Sequence, residues 1–285
     1  MRNPIESIII MLIFIACGAE TSSTGSSDYD AKIMKMDTEL SDQFSTDMFT
    51  TNPEDEIGGY YGQRIILSGI AEVPVLGFQE TNTVGLALVE INNDNGILSS
   101  RIKTCETKIQ RPDDIVTTVI PEAFIESLPI TYRSGFVNDN SVELSRLVEL
   151  NGIRLNDPLM DDLPDNVNDE RIYDQDGDGY PGVTVFVSGL ISGQINLIQR
   201  TITQLSGQFL DGKISGIVRW DIDEQILDSD QDLLKMGAPI IPNEDESRSV
   251  FELVKIPEEF DCSNLIENSA NLFDPEPLIL NPSNL

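Results

Sequence analysis

The chain has 285 residues, 40% of them hydrophobic, which is enough for one large core or two small ones. Its 49 acidic residues against 18 basic ones give a formal net charge of −31. A field of that sign repels phosphate backbones and attracts divalent cations, which argues against nucleic acid as a partner. The absence of histidine excludes Ser-His-Asp and Cys-His catalysis and nearly every zinc site that uses imidazole.

The N-terminal segment has the pattern of an export signal. A positive charge at Arg2 precedes a continuous apolar run over residues 8–16, which is shorter than the roughly 20 residues of a membrane-spanning helix. Phe14-Ile15-Ala16-Cys17 resembles the lipobox of bacterial lipoproteins, although Phe14 stands where Leu is usual. The resemblance implies a signal peptide over residues 1–16 and lipidation, including palmitate, at Cys17. An ordinary secretory signal is the alternative.

The lipid on Cys17 would make the membrane the partner of this end of the chain. Because Gly18 rather than Asp follows the cysteine, the resemblance to Gram-negative lipoproteins favours the outer membrane, with the protein facing the periplasm or the cell surface. Residues 17–59 are rich in Ser, Thr, Asp and Glu, which predicts a flexible tether.

Residues 60–285 predict a mostly β domain, an antiparallel barrel or sandwich with one or two short helices. Asn95-Gly96 and Asp211-Gly212 indicate hairpin turns, since such turns need positive φ, and Gly69 and Gly77 are further turn signals. The predicted strands cover residues 63–68, 73–76, 83–91, 97–108, 183–188, 194–203, 213–223 and 249–256.

Two segments of this domain favour helices. Residues 121–128 begin with proline at a plausible first helical position and carry apolar residues at helical spacing. Residues 141–150 predict a second helix, with a strand as the alternative.

The β domain also divides into possible halves, residues 60–156 and 179–265, joined by an acidic connector over residues 157–178. Five identities at an offset of 120 suggest that the halves are two similar β units. The matching residues are Ser68, Gly69, Gln79, Thr81 and Thr83 with Ser188, Gly189, Gln199, Thr201 and Thr203.

An acidic loop at residues 174–182 predicts a calcium site. Asp174, Asp176 and Asp178 alternate so that their carboxylates can converge on one hard cation, Gly179 allows the sharp turn, and Tyr180 offers a backbone carbonyl. An EF-hand is excluded because Val185 stands where the bidentate Glu would be and a strand follows the loop.

This loop resembles the calcium loops of thrombospondin type 3 repeats and dockerin modules, in a single copy. Calcium takes six to eight oxygen ligands, so further ligands must come from outside the loop, and Asp165 and Asp169 are the nearest candidates. The alternative is a solvated acidic turn that binds no ion.

Two cysteines, Cys105 and Cys262, remain once Cys17 is assigned to the lipid. An even pair in an oxidising compartment favours a disulfide, with two separate buried thiols as the alternative.

No motif identifies a molecular activity. The preferred interpretation is a non-catalytic cell-envelope lipoprotein with one structural calcium loop, in an interaction or structural role. The alternative is a lipocalin-like barrel that carries a small hydrophobic ligand, which requires a hollow interior. Paired carboxylates such as Asp221 and Asp223 beside Trp220 suit glycoside hydrolysis, but a chain with 49 acids contains such pairs by chance.

Overall fold

The computed structural model describes residues 56–73, 77–111, 116–237 and 240–275. The predicted signal peptide, the lipidation site and nearly all of the tether lie outside these ranges. The strands are β1 (Gly59–Val73), β2 (Gly77–Asp94), β3 (Ile97–Gln110), β4 (Val116–Val119), β5 (Thr131–Asn138), β6 (Ser141–Asn151), β7 (Val183–Gly189), β8 (Gly193–Leu210), β9 (Lys213–Ser229), β10 (Ile240–Pro242) and β11 (Val250–Lys255). The helices are α1 (Glu122–Ser127) and α2 (Cys262–Leu272), and short 3-10 turns lie at Leu234–Met236 and Glu246–Arg248.

Eight strands close into a ring in the order β8-β6-β5-β3-β2-β1-β11-β9, and β9 pairs back with β8 along nearly its whole length. All pairings in the ring are antiparallel. The other edge of β8 is shared, because β6 pairs with residues 199–208 and β7 pairs with residues 193–197. The predicted antiparallel β fold with short helices is confirmed, and the ring departs from a regular barrel.

Local turn chemistry was a reliable guide to the hairpins. Asn95 and Gly96 have φ of 52° and 85° between β2 and β3, and Asp211 and Gly212 have φ of 52° and 77° between β8 and β9. The helix at residues 121–128 is also confirmed, as α1.

The helix expected over residues 141–150 is wrong, since the segment forms β6. A bulge between Leu144 and Leu147 inserts one extra residue opposite β8, so the apolar positions stop alternating and imitate helical spacing. The turn expected at Gly69 is also wrong, because β1 runs through it. A Cβ at Gly69 would lie 2.5 Å from Ile240 Cγ2, so glycine is required there by the close approach of β10.

The C-terminal helix α2 was not predicted. Its start is specified by Asp261, whose side chain accepts a hydrogen bond from the Asn264 backbone N–H while the Asn264 side chain accepts one from the Asp261 N–H. Leu265 is fully buried on the outer face of the ring, where it packs with Leu86 and Phe273. The helix therefore covers part of the ring from outside.

A disulfide joins α2 to β3. Cys105 and Cys262 are bonded, with their Cα atoms 5.1 Å apart and a sequence separation of 157. The chain beyond α2 is held by ion pairs as well. Lys213 contacts the carboxylates of both Glu252 and Asp274, and Arg64 contacts Glu252 and the Asp274 carbonyl oxygen.

Among the described residues, no helix combines the length and the apolar character needed to cross a membrane.

Candidate ligand cavity and metal cluster

The interior of the ring is filled at one end and hollow at the other. Around the hairpin ends, side chains from the ring strands form a dry core that includes Tyr61, Leu98, Leu205, Phe209 and Phe251, each at most 4% exposed. Above this core lies a cavity of about 320 Å³. Its apolar surface comes mainly from inward-facing side chains of the ring, among them Ile65, Leu67, Ala87, Ile102, Trp220 and Ile222.

Segments outside the ring complete the cavity. Phe124 of α1 packs with Val183, Val185 and Leu197 in a second apolar cluster. Strands β4 and β7 contribute further lining, as do Leu233, Leu234, Gly237 and Ile240. The cavity therefore lies between the hollow half of the ring and the β4-α1-β7 segment. A largely apolar, preformed space of this size is typical of small-molecule sites.

One wall of the cavity is polar. The register places Thr203, Thr201 and Gln199 of β8 opposite Leu147, Glu149 and Asn151 of β6. On the other side it places them opposite Trp220, Ile222 and Glu224 of β9. Successive layers are about 7 Å apart, since strands rise roughly 3.4 Å per residue. The polar side chains of β6, β8 and β9 thus form a continuous wall that extends from the packed core towards the other end of the cavity.

Arg133 lies on the cavity floor. Its Nη2 donates to Thr203 Oγ1 at 2.5 Å, its Nε has no hydrogen-bond acceptor, and the residue is only 6% exposed. Burial lowers the pKa of Arg133 to about 10, partly offset by the negative charge of Glu149 one layer higher. Burial raises the pKa of Glu149, and the charge of Arg133 acts in the opposite direction. The two opposite charges therefore attract one another and offset part of the cost of burying each group.

Glu224 lies one layer further from the floor. Its Oε2 accepts a hydrogen bond from Gln199 Nε2 at 3.3 Å. Burial raises the pKa of the Glu224 carboxyl, with the Gln199 hydrogen bond as a smaller opposing effect. The side chain nevertheless has a large accessible surface. The two observations are compatible because Glu224 lines the cavity, where protein atoms surround the carboxyl while the open space leaves its surface accessible.

The carboxylates Asp221 and Asp223 do not lie in this cavity. They alternate with the inward positions of β9, are both exposed, and Asp223 pairs with Arg200 on the outer face. Trp220 faces inward and donates from Nε1 to Ser249 Oγ at 3.0 Å. The pair and the indole are thus on opposite faces of the strand.

The acidic loop holds a second candidate site. One oxygen from each of Asp174, Asp176 and Asp178 lies within 4.8 Å of the others. Asp174 organises the turn by accepting hydrogen bonds from the backbone N–H groups of Gly177 at 2.7 Å and Gly179 at 2.9 Å. The two glycines have φ of 72° and 90°, a region that other residues rarely adopt.

Asp176 is the innermost of the three acids. Its Oδ2 accepts from the Thr184 N–H at 2.9 Å, while its Oδ1 is buried with no hydrogen-bond donor. Burial raises the pKa of Asp176, and the charges of Asp178 and Asp174 raise it further, against the opposing Thr184 hydrogen bond. This arrangement of three carboxylates and one unsatisfied oxygen can hold a metal ion.

The other predicted ligands lie differently. Asp169 is not part of the three-carboxylate cluster, because its carboxylate pairs with Arg171 at 2.9 Å. The Arg171 hydrogen bond lowers the pKa of Asp169. Asp165 is exposed and also outside the cluster. Tyr180 follows the cluster directly, and its backbone N–H donates to Asp178 Oδ1 at 2.9 Å.

The loop is anchored tightly to the sheet. Gln175 N–H donates to the Gly182 carbonyl at 3.0 Å, and Gly182 N–H donates to the Tyr173 carbonyl at 3.1 Å. A Cβ at Gly182 would lie 2.3 Å from the Leu197 carbonyl oxygen on β8, so this glycine lets the loop end pack directly on the strand. The acidic cluster therefore sits at the point where the chain enters β7.

Sequence reasoning missed the polar wall. Glu149, Gln199 and Glu224 stand among many other polar residues, and only strand pairing brings them together. The one usable signal was the alternation Trp220, Ile222, Glu224, Ile226, which places a carboxylate on the apolar face of β9.

Comparisons with known proteins identify no relative of this chain: no family model, no curated protein and no solved structure matches it.

Proposed function

We propose that this protein is a cell-envelope lipoprotein that binds a small, largely apolar ligand inside its β ring. The observation that carries the proposal is the cavity of about 320 Å³ above a packed floor. A structural protein gains stability by filling such a space, because each missing contact costs free energy. A ligand of matching size supplies those contacts. Interaction through the outer surface alone leaves the cavity unexplained.

The size of the cavity limits the ligand. A volume of about 320 Å³ lies at the lower end of the roughly 300–1,000 Å³ of small-molecule sites, which suits a ligand such as an alkyl chain of about ten carbon atoms. Burial of a chain of that length is favourable by about 0.8 kcal/mol per CH₂ group, which supports measurable binding even after the loss of translational freedom.

Calcium is the proposed ion of the acidic loop. The three oxygen donors of Asp174, Asp176 and Asp178 suit a hard cation, and water and backbone carbonyls such as that of Tyr180 are its usual further ligands. The role we propose is structural. An ion here would offset the repulsion among the three carboxylates and hold the entry to β7, whose Val185 and Val187 line the cavity.

Trp220 reports on occupancy, because it is the only tryptophan of the chain and it lines the cavity. We expect decanol to change the intensity and emission maximum of Trp220 fluorescence in a saturable way. Thr201→Phe should abolish the response, since the added ring occupies cavity space next to the polar wall.

A matched control is available on the same strand. Gln208→Phe adds the same ring to an exposed position of β8 and should leave decanol binding unchanged. A wild-type spectrum that does not change up to the solubility limit of decanol would contradict the proposed ligand site.

The anchor proposed at Cys17 has an independent test. We expect cells that express the full chain to incorporate radiolabelled palmitate into the protein, and we expect Cys17→Ala to abolish the labelling, because the thiol is the acceptor of the lipid. Labelling of the variant at the wild-type level would rule out this anchor.

A further inference from the structure

We infer that the ligand carries a positively charged nitrogen on its apolar body, and that Glu224 is the group that receives it. This inference rests on the proposed function of the cavity and specifies the chemical class of its ligand.

Among the residues that the structure describes, Glu224 has no cationic partner. Gln199 supplies its one hydrogen bond, and within the described ranges no lysine or arginine lies at ion-pair distance from its carboxylate. Gln199 is itself oriented, because its Oε1 accepts from Asn151 Nδ2 at 3.2 Å and from Thr201 Oγ1 at 3.4 Å. The amide N–H therefore points at Glu224 Oε2, and Oε1 of Glu224 is left to the cavity.

The other charged groups of the cavity are less suited to receive a ligand. Arg133 and Glu149 carry opposite charges that attract one another, and the Arg133 Nε is enclosed by protein atoms. Arg111 directly follows β3, which lies four strands from β9 in the ring of eight and thus across the cavity from Glu224. Glu224 is accordingly the most exposed of the four charged residues that line the cavity.

An ammonium group is the ligand head group that pairs best with the Glu224 carboxylate. It provides a counter-charge and a charge-assisted hydrogen bond to Glu224 Oε1. A carboxylate ligand would meet repulsion from Glu224 and from Glu149, and an alcohol would offer only a neutral hydrogen bond. The apolar body of the ligand would lie along Ile222 and Trp220, on the same face of β9.

Three probes with the same ten-carbon alkyl chain distinguish the contribution of the head group to binding from that of the apolar cavity. Decylamine, decanol and decanoate are titrated near neutral pH against the full folded chain, with Trp220 fluorescence as the readout. We expect decylamine to bind at least about tenfold more tightly than decanol or decanoate, since charge-assisted hydrogen bonds are roughly twice as strong as neutral ones.

The variant Glu224→Gln should lose the preference for decylamine and keep its affinity for decanol. The matched control Asp221→Asn removes a carboxylate from the outer face of the same strand and should keep the preference. Melting curves verify that each variant is folded, and decanol binding verifies that its cavity is intact.

The outcomes are distinguishable. Binding of decanol with no preference for decylamine, or a preference that survives Glu224→Gln, would overturn the inference and leave the ligand cavity in place. Tighter binding of decanoate would also overturn the inference, because it would assign the head group to a cationic residue of the cavity lining, Arg111 or Arg133. Failure of all three probes to bind would overturn the ligand cavity and this inference together.

Discussion

Removal of the disulfide by Cys105→Ala/Cys262→Ala is expected to lower the free energy of unfolding by about 2–5 kcal/mol, the largest effect predicted for this chain. The bond closes a segment of 157 residues, for which the loss of chain entropy in the unfolded state alone corresponds to about 5 kcal/mol. It also holds α2 against β3, where Leu265 is fully buried. Denaturant unfolding of wild type and variant measures the difference from the shift in midpoint.

Reduction of the wild type provides the matching control. A reducing agent should lower the midpoint of the wild type towards that of the double variant and should leave the variant itself unchanged. Equal midpoints for oxidised wild type and double variant would show that the bond adds nothing to stability.

Calcium is expected to raise the melting temperature of the protein. An ion that binds only the folded state stabilises it by about 2.7 kcal/mol at a hundredfold excess over its Kd, which corresponds to roughly 5–10 °C for a folded domain of this size. The physical cause is the neutralisation of three carboxylates, each of which places one oxygen within 4.8 Å of the others. Asp176, one of the three, also has a buried Oδ1 with no hydrogen-bond donor among the described residues.

Two variants locate the calcium effect within the loop. Asp176→Asn should abolish the calcium-dependent rise, because it removes the charge of the innermost carboxylate. Asp165→Asn should retain the rise, because Asp165 lies outside the cluster. Thermal melts in calcium and in chelator measure the calcium effect in both variants. Melts in magnesium provide a comparison ion, because magnesium demands a more rigid octahedral geometry. Identical melts of the wild type in calcium and in chelator would exclude the site.

Features specified by short stretches of backbone were read correctly from the residues. The hairpins at Asn95-Gly96 and Asp211-Gly212 follow from the φ angles that these residues tolerate, and α1 follows from a proline before an apolar helical repeat. The convergence of Asp174, Asp176 and Asp178 follows from their spacing around flexible glycines. Each of these features needs only neighbours in the chain.

Features that depend on distant partners were missed or misread. The bulge in β6 is defined by its pairing with β8, so its apolar pattern imitated a helix in the isolated segment. Gly69 resembled a turn until the approach of Ile240 explained it. The position of α2 on the ring depends on contacts with β2 and with the cysteine of β3.

By itself, then, the sequence determined the β class, the hairpin turns and the acidic cluster, because local backbone preferences and residue spacing suffice for these. The tertiary structure decided that eight strands close on themselves with β9 against β8, and that one half of the ring is filled and the other hollow. It also decided that Glu224 faces the hollow half. These properties depend on side chains from strands far apart in the chain, whose packing no single segment encodes.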